Sequence, residues 1–299
     1  MRGLFDCCRA AAMQLLRARL PVASWLTSST APVMIPLRSL RSVSFVLLLV
    51  ATGCGPLSSG SKGPPAPATG TDVVQRMRAR YDNTWFRTLS FTQENTRYLA
   101  NGRTEKSQWK EYLQVPGRLR IEFMPATGNN GAIYADGSVY SFEGGRLSHT
   151  VQQFNVLLVL TADVYGQPAE TSVKQLRTLG VDLTKLRSDK WNGRKVWVVG
   201  STGGPDVASS QFWIDAETWT ALRVIDRAVT ANAQGARPST EYRLADYRMV
   251  NDIPVVHEIT FLRDNKPFFK EQYTEVVLNT PLDARLFSPS QWKIPGRTP

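Results

Sequence analysis

Between residues 89 and 278 most segments alternate apolar and polar residues with the two-residue period of β-strands. The clearest is 118–123, where Leu119, Ile121 and Phe123 share one side and Arg118, Arg120 and Glu122 the other. Comparable runs occupy 89–99, 104–114, 132–135, 139–142 and 146–150, and then 195–200, 210–214, 219–229, 240–250, 255–263 and 268–278. Turn-forming residues separate them: Asn101-Gly102, Pro116-Gly117, Asp136-Gly137, Gly144-Gly145, Asp215 to Thr218, Asn251-Asp252 and Asn265-Lys266-Pro267. Short turns between successive strands predict an antiparallel sheet.

Two regions depart from this period. Val73, Val74, Met77 and Tyr81 recur at helical spacing, which predicts a helix over 72–81 capped by Thr71 or Asp72. The stretch 154–160 is the most apolar beyond residue 53, and 167–179 has helical spacing. With a turn over 182–187, the whole of 151–187 reads as a mainly helical insertion, either core or a lid. Several strands are apolar on both sides; Val255, His257, Ile259 and Phe261 lie opposite Val256 and Leu262. A sheet with one wet side does not need this, whereas a strongly curved sheet wrapped round helices or a cavity does.

The N-terminal region carries targeting information. Arg38 and Arg41 precede a short apolar run, 43–50, followed by Ala51-Thr52-Gly53 and Cys54. The run is well short of the roughly 20 residues of a membrane-spanning helix. Small residues before a cysteine resemble a lipobox, with Ala51 where Leu is usual. This predicts cleavage before Cys54 and acylation of its thiol. Met34 would give a conventional start for such a signal, with 1–33 ahead of it. Residues 54–70 are rich in Gly, Pro and Ser and read as a tether; the folded domain is expected over 71–290, with a tail at 291–299. Gly55 after the cysteine favours the outer membrane, facing the periplasm, with the inner membrane as the alternative.

Of three cysteines, Cys7 and Cys8 would leave with the signal, so no disulfide is expected and Cys54 is an anchor. Residues 1–53 hold six basic residues and one acid, so only about +6 of the formal +11 belongs to the remainder. Those charges are scattered, which suits an anionic lipid surface or an acidic partner and disfavours nucleic acid. The two histidines, His149 and His257, lie about a hundred residues apart without a nucleophile elbow or metal-ligand spacing. Glu94, Glu105, Glu111 and Glu122 read as strand faces balancing Arg and Lys. No catalytic residue, metal or cofactor is expected.

Taken in order, these pieces resemble the LolA/LolB-like superfamily of periplasmic lipoprotein carriers and outer-membrane receptors. They are the first helix followed by Ser90-Phe91-Thr92-Gln93, then Trp109, Pro116, Leu119-Arg120-Ile121-Glu122-Phe123 and Asp136-Gly137. Phe212-Trp213-Ile214-Asp215 with Leu222-Arg223 follows, and Pro281-Leu282-Asp283 with Phe287 and Pro289 completes the set. The resemblance implies an α+β fold, a strongly curved antiparallel half-barrel of about 10–11 strands round a few helices. It also implies a cavity that shields acyl chains. Trp109, Leu119, Ile121, Phe123, Tyr140, Phe142, Trp213, Leu222, Val224 and Phe261 are the expected lining. The soluble carriers usually have an Arg immediately before the strand-breaking proline, where it latches the helical lid; here that place is Val115. A tethered monomeric receptor or lipid binder is therefore expected rather than a shuttle, with a protein-binding envelope adaptor as the alternative. Replacing Cys54 by Ser is predicted to abolish radiolabelled palmitate incorporation in cells, and undiminished labelling would refute the lipobox.

Overall fold

The computed structural model describes residues 65–203, 209–228 and 238–293. Cys54 and the residues up to 64, where the signal and most of the tether are expected, lie outside them. The elements form one unit beginning at Pro67.

Thirteen strands form one open antiparallel sheet: β1 Thr88–Tyr98, β2 Thr104–Gln114, β3 Arg118–Phe123, β4 Gly131–Ala135, β5 Ser138–Glu143, β6 Arg146–Gln152, β7 Leu186–Trp191, β8 Arg194–Val199, β9 Gln211–Asp215, β10 Ala221–Arg227, β11 Ser239–Val250, β12 Ile253–Arg263 and β13 Lys266–Leu278. In space β6 to β1 run in reverse order, β13 joins β1, and β12 back to β7 complete the sheet. The first and last long strands thus pair at its centre, Leu89 opposite Leu278 and Arg97 opposite Phe269. Hairpin turns use the left-handed backbone that Asn, Asp and Gly tolerate, as at Asp136-Gly137, with φ of 52° and 72°.

The architecture is α+β as expected, but the sheet has 13 strands rather than 10–11. β7 has no counterpart among the predicted strands: the turn predicted over 182–187 overlaps it only at Leu186 and Arg187. Its residues Arg187 to Lys190 are polar on both sides, so alternation gives no signal. It is an edge strand, where charge discourages pairing with another sheet. The insertion is correspondingly shorter, because β6 continues to Gln152.

Helix α1 spans Gly70–Arg80. Its cap is Thr69, two to three residues before the predicted Thr71 or Asp72. Thr69 Oγ1 accepts the Asp72 N–H at 3.1 Å and Asp72 Oδ2 accepts the Thr69 N–H at 2.9 Å, a reciprocal capping box. Val73, Val74 and Met77 are fully buried. Helix α2 (156–166) opens where the Asn155 side chain accepts the N–H groups of Leu157 and Leu158, passes through a π-helical stretch, Val159–Asp163, and ends at Gly166. Helix α3 is Ala169–Thr178. The apolar stretch 154–160 feeds α2, and Val156, Leu158, Val159 and Leu160 are buried in the main core with α1 and the inward residues of most strands.

The helices are fastened at one end of the sheet. Tyr81 OH donates to Thr218 O at 2.6 Å and Tyr165 OH to Trp219 O at 2.9 Å, fixing α1 and α2 to the β9–β10 turn. The Gly117 N–H in the β2–β3 turn donates to the buried Asp163 Oδ1 at 2.8 Å. Val115 packs on Gly166, where a Cβ would stand 2.3 Å from Val115 Cγ1. The turn beside Val115 is thus held to α2 through the Asp163 carboxyl.

The opposite face of β3–β5 is covered by the C-terminal segment. Arg120 and Glu122, 1% and 3% exposed, pair at 2.6 Å. Arg120 also donates to Leu286 O at 3.0 Å and Lys293 O at 2.7 Å, and its guanidinium lies 4.2 Å from the Trp292 ring centroid. Trp292 in turn stacks on Phe142 at 4.4 Å. Removing one member of a buried pair strands the other charge. Arg120→Ala should therefore lower unfolding stability in urea by about 3–5 kcal/mol. The exposed Arg248→Ala should stay within about 0.5 kcal/mol. Equal effects would show that the C-terminal clamp is not structural.

Candidate functional site

The side of the sheet that faces the helices divides along the strands. Near the fastened end it is apolar and closed: Leu89, Phe91, Leu113, Leu119 and Leu278 are buried in the main core. Toward the far end, helix contacts give way to an aromatic band. The Trp109 ring lies 4.9 Å from Phe123 and 5.8 Å from Phe269. Phe269 lies 5.3 Å from Phe261, and Phe261 4.9 Å from Tyr242. The band links β3, β2, β13, β12 and β11, and Trp109, Phe123, Phe261 and Phe269 are each only partly buried.

Trp109 and Phe269 stand on strands separated by β1, nominally about 9.6 Å apart. Their closeness means that the two rings lean together over β1. On the same side of β1 are Gln93 and Asn95, each 1% exposed. Gln93 pairs with Trp109 on β2 and with Tyr273 on β13, while Asn95 pairs with Glu271. Gln93 Nε2 donates to Asn95 Oδ1 at 2.7 Å and Tyr273 OH donates to Glu271 Oε2 at 2.9 Å. The Asn95 amide nitrogen is buried with no hydrogen-bond partner. Glu111, two residues from Trp109 on the same side of β2, is also buried. Neither Glu111 nor Glu271 forms an ion pair among the described residues.

Burial raises both carboxyls. Desolvation, followed by repulsion from Glu271, lifts Glu111 well above the usual carboxylate range. Desolvation lifts Glu271 to about 7 against the hydrogen bonds from Tyr273 and Gln93. Farther along the same side, burial lifts Asp226 to about 6, and at the α2 latch it lifts Asp163 to about 7 against the Gly117 hydrogen bond. Tyr134, close enough to feel both Glu111 and Glu271, is pushed up to about 12, chiefly by burial.

The structure separates the ten residues expected to line a cavity. Trp109, Leu119, Ile121, Phe123, Val224 and Phe261 lie on the helix-facing side, within the core or the aromatic band. Tyr140 and Phe142 lie on the other side with Ile133, Ala135 and Trp292. Trp213 and Leu222 also lie there, with Val196, Val198 and Trp191. Alternation groups residues by side but does not say which side faces the helices, and here both sides are apolar. Bulges add to this, since register shifts fall between Ala221 and Arg223 and between Ser141 and Phe142. The polar group Gln93, Asn95, Glu271 and Tyr273 was not singled out from the sequence. Its signal was polar residues in phase with Phe91 and Phe269 on otherwise central strands.

The histidines hold no chemistry in common. His257 is buried with Nδ1 2.9 Å from Val255 O, and His149 is exposed. Among the described residues no group of three or more His, Cys, Asp or Glu is placed to hold a metal ion, and no helix is long and apolar enough to cross a membrane. A groove of about 510 Å³ lies between α1 and α3, lined by Thr71, Gln75, Val173, Lys174 and Arg177 among others, outside the aromatic band.

No family model matches the chain, and no curated protein matches it. Its neighbours among solved structures are DUF1329-family and LolA-superfamily or lipoprotein-sorting domains. A DUF1329 family protein from Desulfovibrio piger has 12% identity and a TM-score of 0.48, over 75% of this chain and 98% of that one. A putative outer membrane lipoprotein-sorting protein domain from Vibrio parahaemolyticus has 14% identity and a TM-score of 0.49, over 74% and 97%. A LolA superfamily protein from Nitrosomonas europaea has 11% and 0.46, over 72% and 97%.

A carboxyl with a raised folded-state pKa binds its proton more tightly folded than unfolded. The folded chain then carries the extra protons between about pH 4 and 7, and stability falls as pH rises through that window. Glu111, Glu271, Asp163 and Asp226 all act in this direction. The melting temperature is predicted to be higher at pH 5 than at pH 8, and Glu271→Gln to flatten the difference. A melting temperature that rises from pH 5 to 8, or a slope indifferent to Glu271, would contradict the burial of these groups.

Proposed function

We propose that this protein is a periplasm-facing, membrane-anchored lipoprotein. In this reading it holds a lipid or a lipoprotein's acyl chain against the far end of its helix-facing sheet surface. It would act in outer-membrane lipoprotein sorting or envelope lipid handling, as a binding protein and not as an enzyme. The observation that carries this reading is the partly buried aromatic band of Trp109, Phe123, Phe261 and Phe269 on the helix-facing side of the sheet. Apolar surface of this kind gains about 25 cal/mol for each Å² that an alkyl chain removes from water. A fourteen- to eighteen-carbon chain, at about 0.8 kcal/mol per buried methylene, gains enough for stable capture even when only part of it is covered. The sequence resemblance supports the same reading, and so does the lipobox, because a tether of residues 54–70 would keep the surface close to the bilayer. The half-barrel expected from the resemblance belongs to this proposal: a sheet that curls about its helices would shield the bound chain from water on several sides.

The open sheet also favours a second reading. Its edges, β6 and β7, each pair with a strand on only one side among the described residues, and Leu147 on β6 is 54% exposed. An envelope adaptor that adds a partner's strand to such an edge would use these features without lipid.

Native mass spectrometry of the protein from membranes, with titration of a fluorescent fatty acid, separates the two. Lipid binding predicts co-purifying lipid and saturable probe binding that Trp109→Asp with Phe123→Asp weakens at least about tenfold. Lipid-free protein, indifferent to the probe and to these substitutions, would leave the adaptor reading.

A further inference from the structure

Buried carboxyls are ordinarily paired with a cation, because an isolated one is costly to desolvate. Glu111 and Glu271 lie on the same side of β2 and β13, the two strands that flank β1, each two residues from a ring of the aromatic band, and no basic side chain among the described residues pairs with either. The other charged groups near this surface are Asp226, which adds to the negative field, and Arg263, which lies 4.8 Å over the Phe268 ring. Arg97, at the far end of β1, pairs with Glu105 at 3.4 Å. On β1, opposite Glu271, Asn95 keeps its oxygen on Gln93, and its buried amide donor has no partner.

We propose that this cluster binds the ammonium group of an amine-headed amphiphile, beneath Trp109 and Phe269. The proposal rests on the lipid-binding reading and adds the chemistry of the ligand's head. The ammonium would bring the positive charge that the carboxyls lack in the chain. The faces of Trp109 and Phe269 attract a cation through their ring quadrupoles. The Asn95 amide would donate to an oxygen a few atoms from the nitrogen, as an ester, hydroxyl or phosphate oxygen of an amino-lipid would allow. The alkyl part would follow the aromatic band toward Phe123 and Phe261.

The test uses the full chain and three probes below their micellar concentrations: dodecylamine, dodecanol and dodecanoate. Isothermal titration at pH 8, where the carboxyls are more fully ionised than at pH 6, reads each dissociation constant. The proposal predicts that dodecylamine binds at least about tenfold more tightly than dodecanol. It also predicts that this preference collapses toward one in the Glu111→Gln, Glu271→Gln double variant and shrinks in the unmodified protein at pH 6. The variants remove buried charge, so they are expected to fold. If dodecanol or dodecanoate binds as tightly as the amine, or the amine preference survives the double variant, the ammonium site is refuted while lipid binding stands. If chainless ethanolamine binds as tightly as dodecylamine, the ligand is not an amphiphile and the proposal fails. If none of the three chains binds, the lipid-binding reading fails together with it.

Discussion

Three short helical segments cover only part of the sheet, and the rest of its inward surface follows from that constraint. α1 and α2 are held to the β9–β10 turn through Tyr81 and Tyr165, and α2 to the β2–β3 turn through Asp163 and Val115. The strand register puts both turns at the same end, alongside Leu89 and Leu278. Thirteen strands offer more inward surface than three helical segments of about three turns or fewer can cover. The strands near the turns close into a packed core. Farther along, side chains must cover one another, which is why Trp109 and Phe269 meet across β1 and why the aromatic rings run strand to strand.

The same constraint explains where polarity is tolerated. Close to the helices an inward carboxyl would lie in a packed apolar core, and there Leu, Val and Phe occupy the positions. Asp163 is the exception, held there by the Gly117 amide. Beyond that core Glu111, opposite Phe91, and Glu271 are buried without an ion pair among the described residues, and Glu271 is hydrogen-bonded by Tyr273 and Gln93. Such a cluster raises its own pKa values by desolvation. It lowers stability near neutral pH, a cost that sites of recognition commonly carry. On the opposite face the charged groups are treated otherwise. Arg120 is satisfied by Glu122 and two carbonyls under Trp292, and Arg223 by both oxygens of Glu241. The contrast between satisfied pairs outside and unpaired carboxyls inside marks the inward cluster as distinctive.

Much of this architecture was legible in the sequence. Alternation at Leu119, Ile121 and Phe123, with turn chemistry at Asn101-Gly102 and Asp136-Gly137, placed most strands to within two residues. Three things were not legible, for physical reasons. β7 is a charged edge strand whose period is masked by Arg187, Asp189 and Lys190. The cap of α1 is set by a reciprocal Thr69–Asp72 pair, so Thr71 or Asp72 reads as the cap although Asp72 is the cap's partner three residues on. The side on which Tyr140, Phe142, Trp213 and Leu222 point depends on bulges and on apolar cover at both faces, and period alone carries no information about it. The carboxyl cluster was half visible: Glu111 drew attention as a carboxylate, but its partner Glu271 lies 160 residues away in sequence. Only the pairing of β1 with β13 brings them to the same surface.

The most direct test of the central claim is where an acyl chain sits. A photoactivatable fatty acid, crosslinked to the purified full chain and mapped by peptide mass spectrometry, reads this directly. The aromatic-band account predicts adducts concentrated on β2, β3, β12 and β13, at Trp109, Phe123, Phe261 and Phe269 and their neighbours. Adducts on the opposite face around Trp213 and Tyr140, or spread without preference over the surface, would contradict it.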